Sequence, residues 1–211
     1  MKRAWTMGLA GALALGVWLG ASGAGALTLG FDCITDNLAA DCATGEAQLT
    51  VVISDPGGDQ VLFHFKNAAG GASSITDVYW DDGSLLALGT LANGPGVSFS
   101  AGCSPGNLPG GNGIGFVTTA GFCADSDPPA QPEGVNPGEW LKVYFDLQLG
   151  KDFDDVLAEL ADGTLRIGLH VQGFAGGGSE SFVNVPEPGT LSLLGMALAG
   201  LAGFARRPRR G

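Results

Sequence analysis

The sequence predicts an all-β domain, an antiparallel β-sandwich or jelly roll with one short helix, and three observations carry that reading. Apolar side chains alternate with polar ones in most patterned stretches, the period-two signature of strands with one buried face. Clusters of Gly, Pro, Asn and Asp interrupt those stretches, as turns between antiparallel strands require. Only one segment carries the spacing of about 3.6 residues that marks an amphipathic helix. No repeat of roughly 20–50 residues is visible, which argues against a solenoid.

The chain opens on Met1-Lys2-Arg3, continues through an apolar stretch from Met7 to Leu19, and leaves it by Ala21-Ser22-Gly23-Ala24-Gly25-Ala26. A basic start, a short apolar run and a small-x-small exit form a secretory signal. Ala24 and Ala26 fit the small pockets of a signal peptidase. Residues 1–26 are therefore read as a signal peptide, and the domain as residues 27–184.

Within that domain, Glu46 to Ser54 places Leu49, Val51 and Ile53 at alternate positions, and Asp55-Pro56-Gly57-Gly58-Asp59 turns the chain. Gln60 to Asn67 sets Val61, Phe63 and Phe65 on one face against Leu62, His64 and Lys66 on the other. Ser74 to Trp80 and Leu85 to Leu91 read as a hairpin across Asp82-Gly83, a good turn pair between apolar runs. Val97 to Ala101 and Ile114 to Thr118 are weaker strands, and Cys103 to Gly138 reads as a long Gly- and Pro-rich loop. Glu139 to Leu149 alternates again. The one helix follows, capped by Asp152, with Asp154 and Asp155 at its positive end and Phe153, Val156, Leu157 and Leu160 along one face. Thr164 to Gln172 and Ser179 to Val185 complete about nine strands.

After the last strand comes Val185-Pro186-Glu187-Pro188-Gly189-Thr190, then an uncharged run from Leu191 to Phe204, then Arg206, Arg207, Arg209 and Arg210. A helix over 191–204 would be roughly 21 Å long, short of a hydrocarbon core of about 30 Å, so a span recruits flanking residues or thins the bilayer. The arginines favour the cytoplasmic side. Pro186-Glu187-Pro188, the short Leu/Gly/Ala helix and the arginine cluster together resemble the PEP-CTERM sorting tail, also labelled an ice-binding protein C-terminal region. The resemblance assigns residues 185–211 to sorting, with a transmembrane helix at 191–204. It implies that an exosortase-type enzyme processes the chain at an inner-membrane intermediate and sends it to the cell surface or beyond, in a bacterium that makes extracellular polysaccharide. It assigns no activity to the domain, and no regular Thr repeat supports ice binding.

From Leu27 to Glu187 stand all 21 acidic residues against Lys66, Lys142, Lys151 and Arg166, a net of −17 where the whole chain carries −11. That field repels nucleic acid and anionic lipid and keeps an exported protein soluble. Cys33, Cys42, Cys103 and Cys123 are an even count in an exported chain, and four cysteines allow three pairings. Cys33–Cys42 with Cys103–Cys123 is the pairing expected here, because it closes two short polar loops. Zinc is disfavoured by the absence of a Cys-x-x-Cys pair.

No catalytic constellation is legible. His64 and His170 lie on strands, without a His-Glu-x-x-His motif or a Gly-x-Ser-x-Gly elbow. Asp81, Asp82, Asp125, Asp127, Glu133 and Glu139 offer many carboxyl pairs for glycoside hydrolysis, too many for any one to be singled out. Clustered Asp on loops suits a structural calcium, though no EF-hand spacing occurs. Trp80 and Trp140, each beside an acidic residue, are the candidate sugar contacts. The expectation is a non-enzymatic surface or extracellular-matrix protein associated with exopolysaccharide. A carbohydrate-binding module and a glycan-active hydrolase are the alternatives.

Overall fold

The computed structural model describes residues 25–82 and 86–185. Residues 1–24 of the expected signal peptide, Ala24 among them, residues 83–85 of the expected hairpin, Pro186-Glu187-Pro188, the 191–204 segment and the four terminal arginines lie outside the described residues. No described helix is long and apolar enough to cross a membrane.

The described chain is mostly β, in two antiparallel sheets. In order it forms β1 (Leu27–Leu29), β2 (Phe31–Cys33), α1 (Ala39–Gln48), β3 (Leu49–Ser54), β4 (Gln60–Asn67), β5 (Ser74–Asp81), β6 (Leu86–Asn93) and β7 (Phe99–Ala101). After these come β8 (Cys123–Ser126), α2 (Ala130–Glu133), β9 (Trp140–Leu147), α3 (Phe153–Asp162), β10 (Arg166–Gln172) and β11 (Glu180–Asn184). The first sheet runs β1-β3-β4-β9-β6 and the second β2-β11-β10-β5-β8-β7.

Strand alternation builds the core between them. Val51, Ile53, Val61, Phe63, Phe65, Val143 and Phe145 from the first sheet join Val78, Trp80, Ile167, Leu169 and Phe182 from the second in one buried cluster. Trp80 sits at its centre, edge-on to Phe63 and Phe65 at 5.7 Å each and to Phe145 at 4.7 Å. Such pairs add about 0.5–1.5 kcal/mol each beyond their buried area. The helix expected at Asp152 is present as α3. Asp152 Oδ1 accepts from the Asp155 N–H at 3.1 Å while Asp155 Oδ2 accepts from the Asp152 N–H at 3.0 Å, and Phe153, Val156 and Leu160 enter the core.

Four expectations need correction. The described residues hold three α-helices rather than one. Helix α1 spans Cys42 and takes in the start of the expected Glu46 to Ser54 strand. It lacks a wide apolar face, and tertiary contacts hold it instead. Buried Glu180 accepts from the N–H groups of Asn37 (3.0 Å) and Leu38 (2.7 Å) just before it, the Cys33–Cys42 disulfide ties it to β2, and Gln48 donates to Asn67 at 2.9 Å. Gly45 lets it approach the sheet, for a Cβ there would lie 2.2 Å from the Phe182 ring. Second, β5 and β6 are no hairpin: β5 pairs with β10 and β8, and β6 with β9 in the other sheet. Two apolar runs flanking Asp-Gly predict a turn but not which sheet receives the second strand.

Third, Ile114 to Thr118 is not a strand. Gly111–Ile114 is a 3-10 turn, and the segment from Gly102 onward lies over the outer face of the second sheet. Fourth, the long loop is therefore an ordered cover, and β8 and α2 fall within its expected span. Leu108 and Phe116 bury against Tyr79, Cys123 and Val183 in a second small core, the Cys103–Cys123 disulfide closes it, and Asn107 Oδ1 accepts from Thr118 N (2.9 Å) and Oγ1 (2.8 Å). Gly168 beneath it has no room for a side chain: a Cβ would stand 2.7 Å from Leu108 and 3.1 Å from Phe116.

Candidate functional site

The two candidate sugar contacts are placed differently. Trp80 is 0% exposed in the central core, so it presents no ring face to a ligand, and its candidacy is withdrawn. Its strand alternates inward at Val78 and Trp80, and the acidic pair after it gave no hint of that direction. Trp140 lies half-buried on the outer face of the first sheet. Its ring rests on Gly94, His64 meets it edge-on at 5.6 Å, and the Lys142 ammonium stands 5.2 Å from its centre.

The densest chemistry lies on the outer face of the second sheet, beside the covering loop. Register sets Ser181, His170, Asp77, Asp125 and Ser100 in one row across β11, β10, β5, β8 and β7. His170 Nδ1 lies 3.0 Å from Asp77 Oδ2, which also accepts from Thr76 Oγ1 at 2.9 Å. Tyr79 donates its hydroxyl to Asp77 Oδ1 at 3.3 Å. Burial first, then the charge of Asp77 and a hydrogen bond with it, push the Asp125 carboxyl up to about 6. Burial, followed by Asp77, also raises the Tyr79 phenol.

In the sequence His170 and Asp125 stand apart, Ser179-Glu180-Ser181 could mimic a nucleophile loop but reads better as a turn into the last strand, and nothing singles out Asp77 for chemistry. Only strand register brings them together, and it is not legible in one sequence. An acid, a base and a hydroxyl side by side are the components of an activated nucleophile. Here Ser181 is 0% exposed and its Oγ has no hydrogen-bond partner among the described residues, so neither access nor activation is provided.

The remaining carboxylates are dispersed. Asp81 pairs with Arg166, and Asp127 accepts from the hydroxyls of Ser98 (2.6 Å) and Ser100 (2.9 Å), which lower its pKa. Glu139 accepts from Asn136 N at 2.9 Å, Asp82 accepts from Leu86 N at 2.9 Å, and Glu133 ends α2. Asp81 and Arg166 line an open cleft with Glu159 and Asp162, where burial and then Asp82 raise the Glu159 pKa. Among the described residues, only Cys33, Cys42 and Glu180 bring three possible metal ligands together, and both cysteines are bonded to each other. The aspartates that suggested calcium do not form such a group among the described residues.

No match was found among curated proteins or among solved structures. The family model described as the PEP-CTERM protein-sorting motif matches residues 184–210, beginning on the last residue of β11. This chain carries the PEP-CTERM protein-sorting motif, which implies export, processing by an exosortase and membrane-associated sorting to the cell surface.

Proposed function

We propose that this protein is a non-enzymatic component of the bacterial surface or extracellular matrix, associated with extracellular polysaccharide. The sorting motif at residues 184–210 carries the reading, because it makes the outside of the cell the place where the domain works. The sealed Ser181 and the hydrogen-bonded Asp77 support a structural rather than a catalytic role for the polar row. Deleting Pro186 to Gly211 is expected to strand the protein in the periplasm, and cell fractionation with an antibody to the domain reads this directly. An unchanged surface fraction would overturn the sorting role. Co-fractionation of the intact protein with the host's polysaccharide tests the association, and release of reducing ends from that polysaccharide would replace this reading with a glycan-active enzyme.

A further inference from the structure

The outer face of the first sheet concentrates what the rest of the domain lacks. Alternation along β4 and β9 points Leu62, His64 and Lys66, and Trp140, Lys142 and Tyr144, away from the core. Register sets Leu62 opposite Tyr144, His64 opposite Lys142 and Lys66 opposite Trp140. Of the domain's four lysine and arginine side chains, Lys151 pairs with Asp155 and Glu159, and Arg166 pairs with Asp81. Lys66 and Lys142 form no ion pair among the described residues, and both stand on this face. The carboxylate on the same face of β9, Asp146, lies beyond Tyr144 and accepts from Gln60 at 2.7 Å.

We propose that this face binds an anionic polysaccharide, with sugar rings on Trp140 and Tyr144 and their acidic groups on Lys66 and Lys142. The assignment rests on the polysaccharide association argued above and supplies its site and ligand class. Charge complementarity selects the ligand. In a domain whose residues 27–184 carry a net charge of −16, two lysines without an ion pair, set diagonally across β4 and β9, form the local attraction that a polyanion meets. The aromatics select a glycan among polyanions. The C–H faces of sugar rings are apolar and pack against indole and phenol rings, while their hydroxyls stay in water. Trp140 and Tyr144, four residues apart on one strand, stand about 13 Å apart, which leaves room for a short run of sugars. Lys142 now lies over Trp140, and its flexible stem lets the ammonium turn toward an incoming acid group without moving the sheet. Nucleic acid is a poor fit, because two lysines neutralise too few phosphates to offset the domain's own charge.

His64 reports occupancy. Its pKa is held down by burial, then by Lys66 on its own strand and Lys142 on β9, while Val52 opposite it on β3 carries no charge. An anion bound to the two lysines opposes that repulsion, so His64 should titrate at higher pH in the complex.

The test uses protein recovered from the host's surface, with polygalacturonate, dextran and polyglutamate as probes in affinity electrophoresis and calorimetry. Polygalacturonate is expected to bind, to weaken at least tenfold between low and moderate salt, and to raise the His64 pKa seen by NMR. Trp140→Ala and the double variant Lys66→Gln/Lys142→Gln should each lose at least tenfold in affinity while keeping the circular dichroism spectrum. Equal binding of dextran would overturn the role of charge, and equal binding of polyglutamate would overturn the role of sugar stacking. Unimpaired binding by the double variant would place the ligand elsewhere. If polygalacturonate fails to bind but the protein still co-fractionates with the host's polysaccharide, this face is the wrong site and the matrix reading stands. If binding occurs without co-fractionation, the face stands and the matrix reading falls.

Discussion

His170 and Asp77 face each other across β10 and β5, with Nδ1 and Oδ2 3.0 Å apart and the Asp77 carboxyl almost wholly buried. The same carboxyl receives the hydroxyls of Thr76 and Tyr79, which also reach the carbonyls of His170 and Pro105, so three side chains converge on it. Asp77→Ala leaves them without it under the covering loop. The expected loss is about 3 kcal/mol, read as a lower urea midpoint with an unchanged slope. A loss below about 1 kcal/mol would show that water replaces the carboxyl, in the range of an ordinary single hydrogen bond.

The Asp125 carboxyl titrates at about 6 in the fold, because burial and then Asp77 oppose its charge. Unfolded, it titrates near the ordinary value of about 4. The folded state therefore holds the extra proton between those values. The resulting stabilisation is complete below about pH 4 and is lost as pH rises through 6. Asp125→Asn removes that dependence. Between pH 4.5 and 7.5 the melting temperature of the native chain should fall about 3 °C further than that of the variant. Parallel melting curves across that range would contradict the pairing.

The two tryptophans should separate by stability. Trp80→Ala empties the centre of the aromatic cluster and is expected to cost about 4 kcal/mol. Trp140→Ala removes a half-buried ring from a sheet surface, at about 1 kcal/mol. Equilibrium unfolding of both variants gives the comparison, and similar losses would mean that Trp140 is a core residue too.

Gly168 is where the covering loop comes closest to the sheet. A methyl group from Gly168→Ala meets Leu108 and Phe116, so about 1–3 kcal/mol of overpacking is expected. The loop should yield before the sheets do, seen as faster proteolytic cleavage within residues 104–122. Uniform destabilisation without faster cleavage there would place the strain elsewhere.

Much of the fold was legible where one physical signal acted alone. The period of two in Gln60 to Asn67 fixed both the strand and its inward face, and Asp152 announced the helix it caps. Helix α1 escaped because its support comes from Glu180 and Phe182, more than 130 residues further along the chain. Cys123–Ser126 was hidden because its partners, β5 and β7, declare themselves only once the sheet is assembled. The polar row was illegible for the same reason. Its five residues come from five separate strands, and no spacing in a linear chain encodes a register. The basic residues of the proposed glycan-binding face were visible as types but not as neighbours, since Lys66 and Lys142 come onto one face only through the pairing of β4 with β9.

The pairing of β2 with β11 places Phe31 opposite Asn184, where the sorting motif begins. In a chain that crosses the membrane from its N-terminus, the first strand of the second sheet to arrive must wait for the last before that sheet can close. Chains cut short ahead of β11 would keep the edges of β2 and β10 open to foreign strands. The start of the sorting motif therefore follows the last strand of the fold without a gap, so that addressing and completion fall at the same stage of transport.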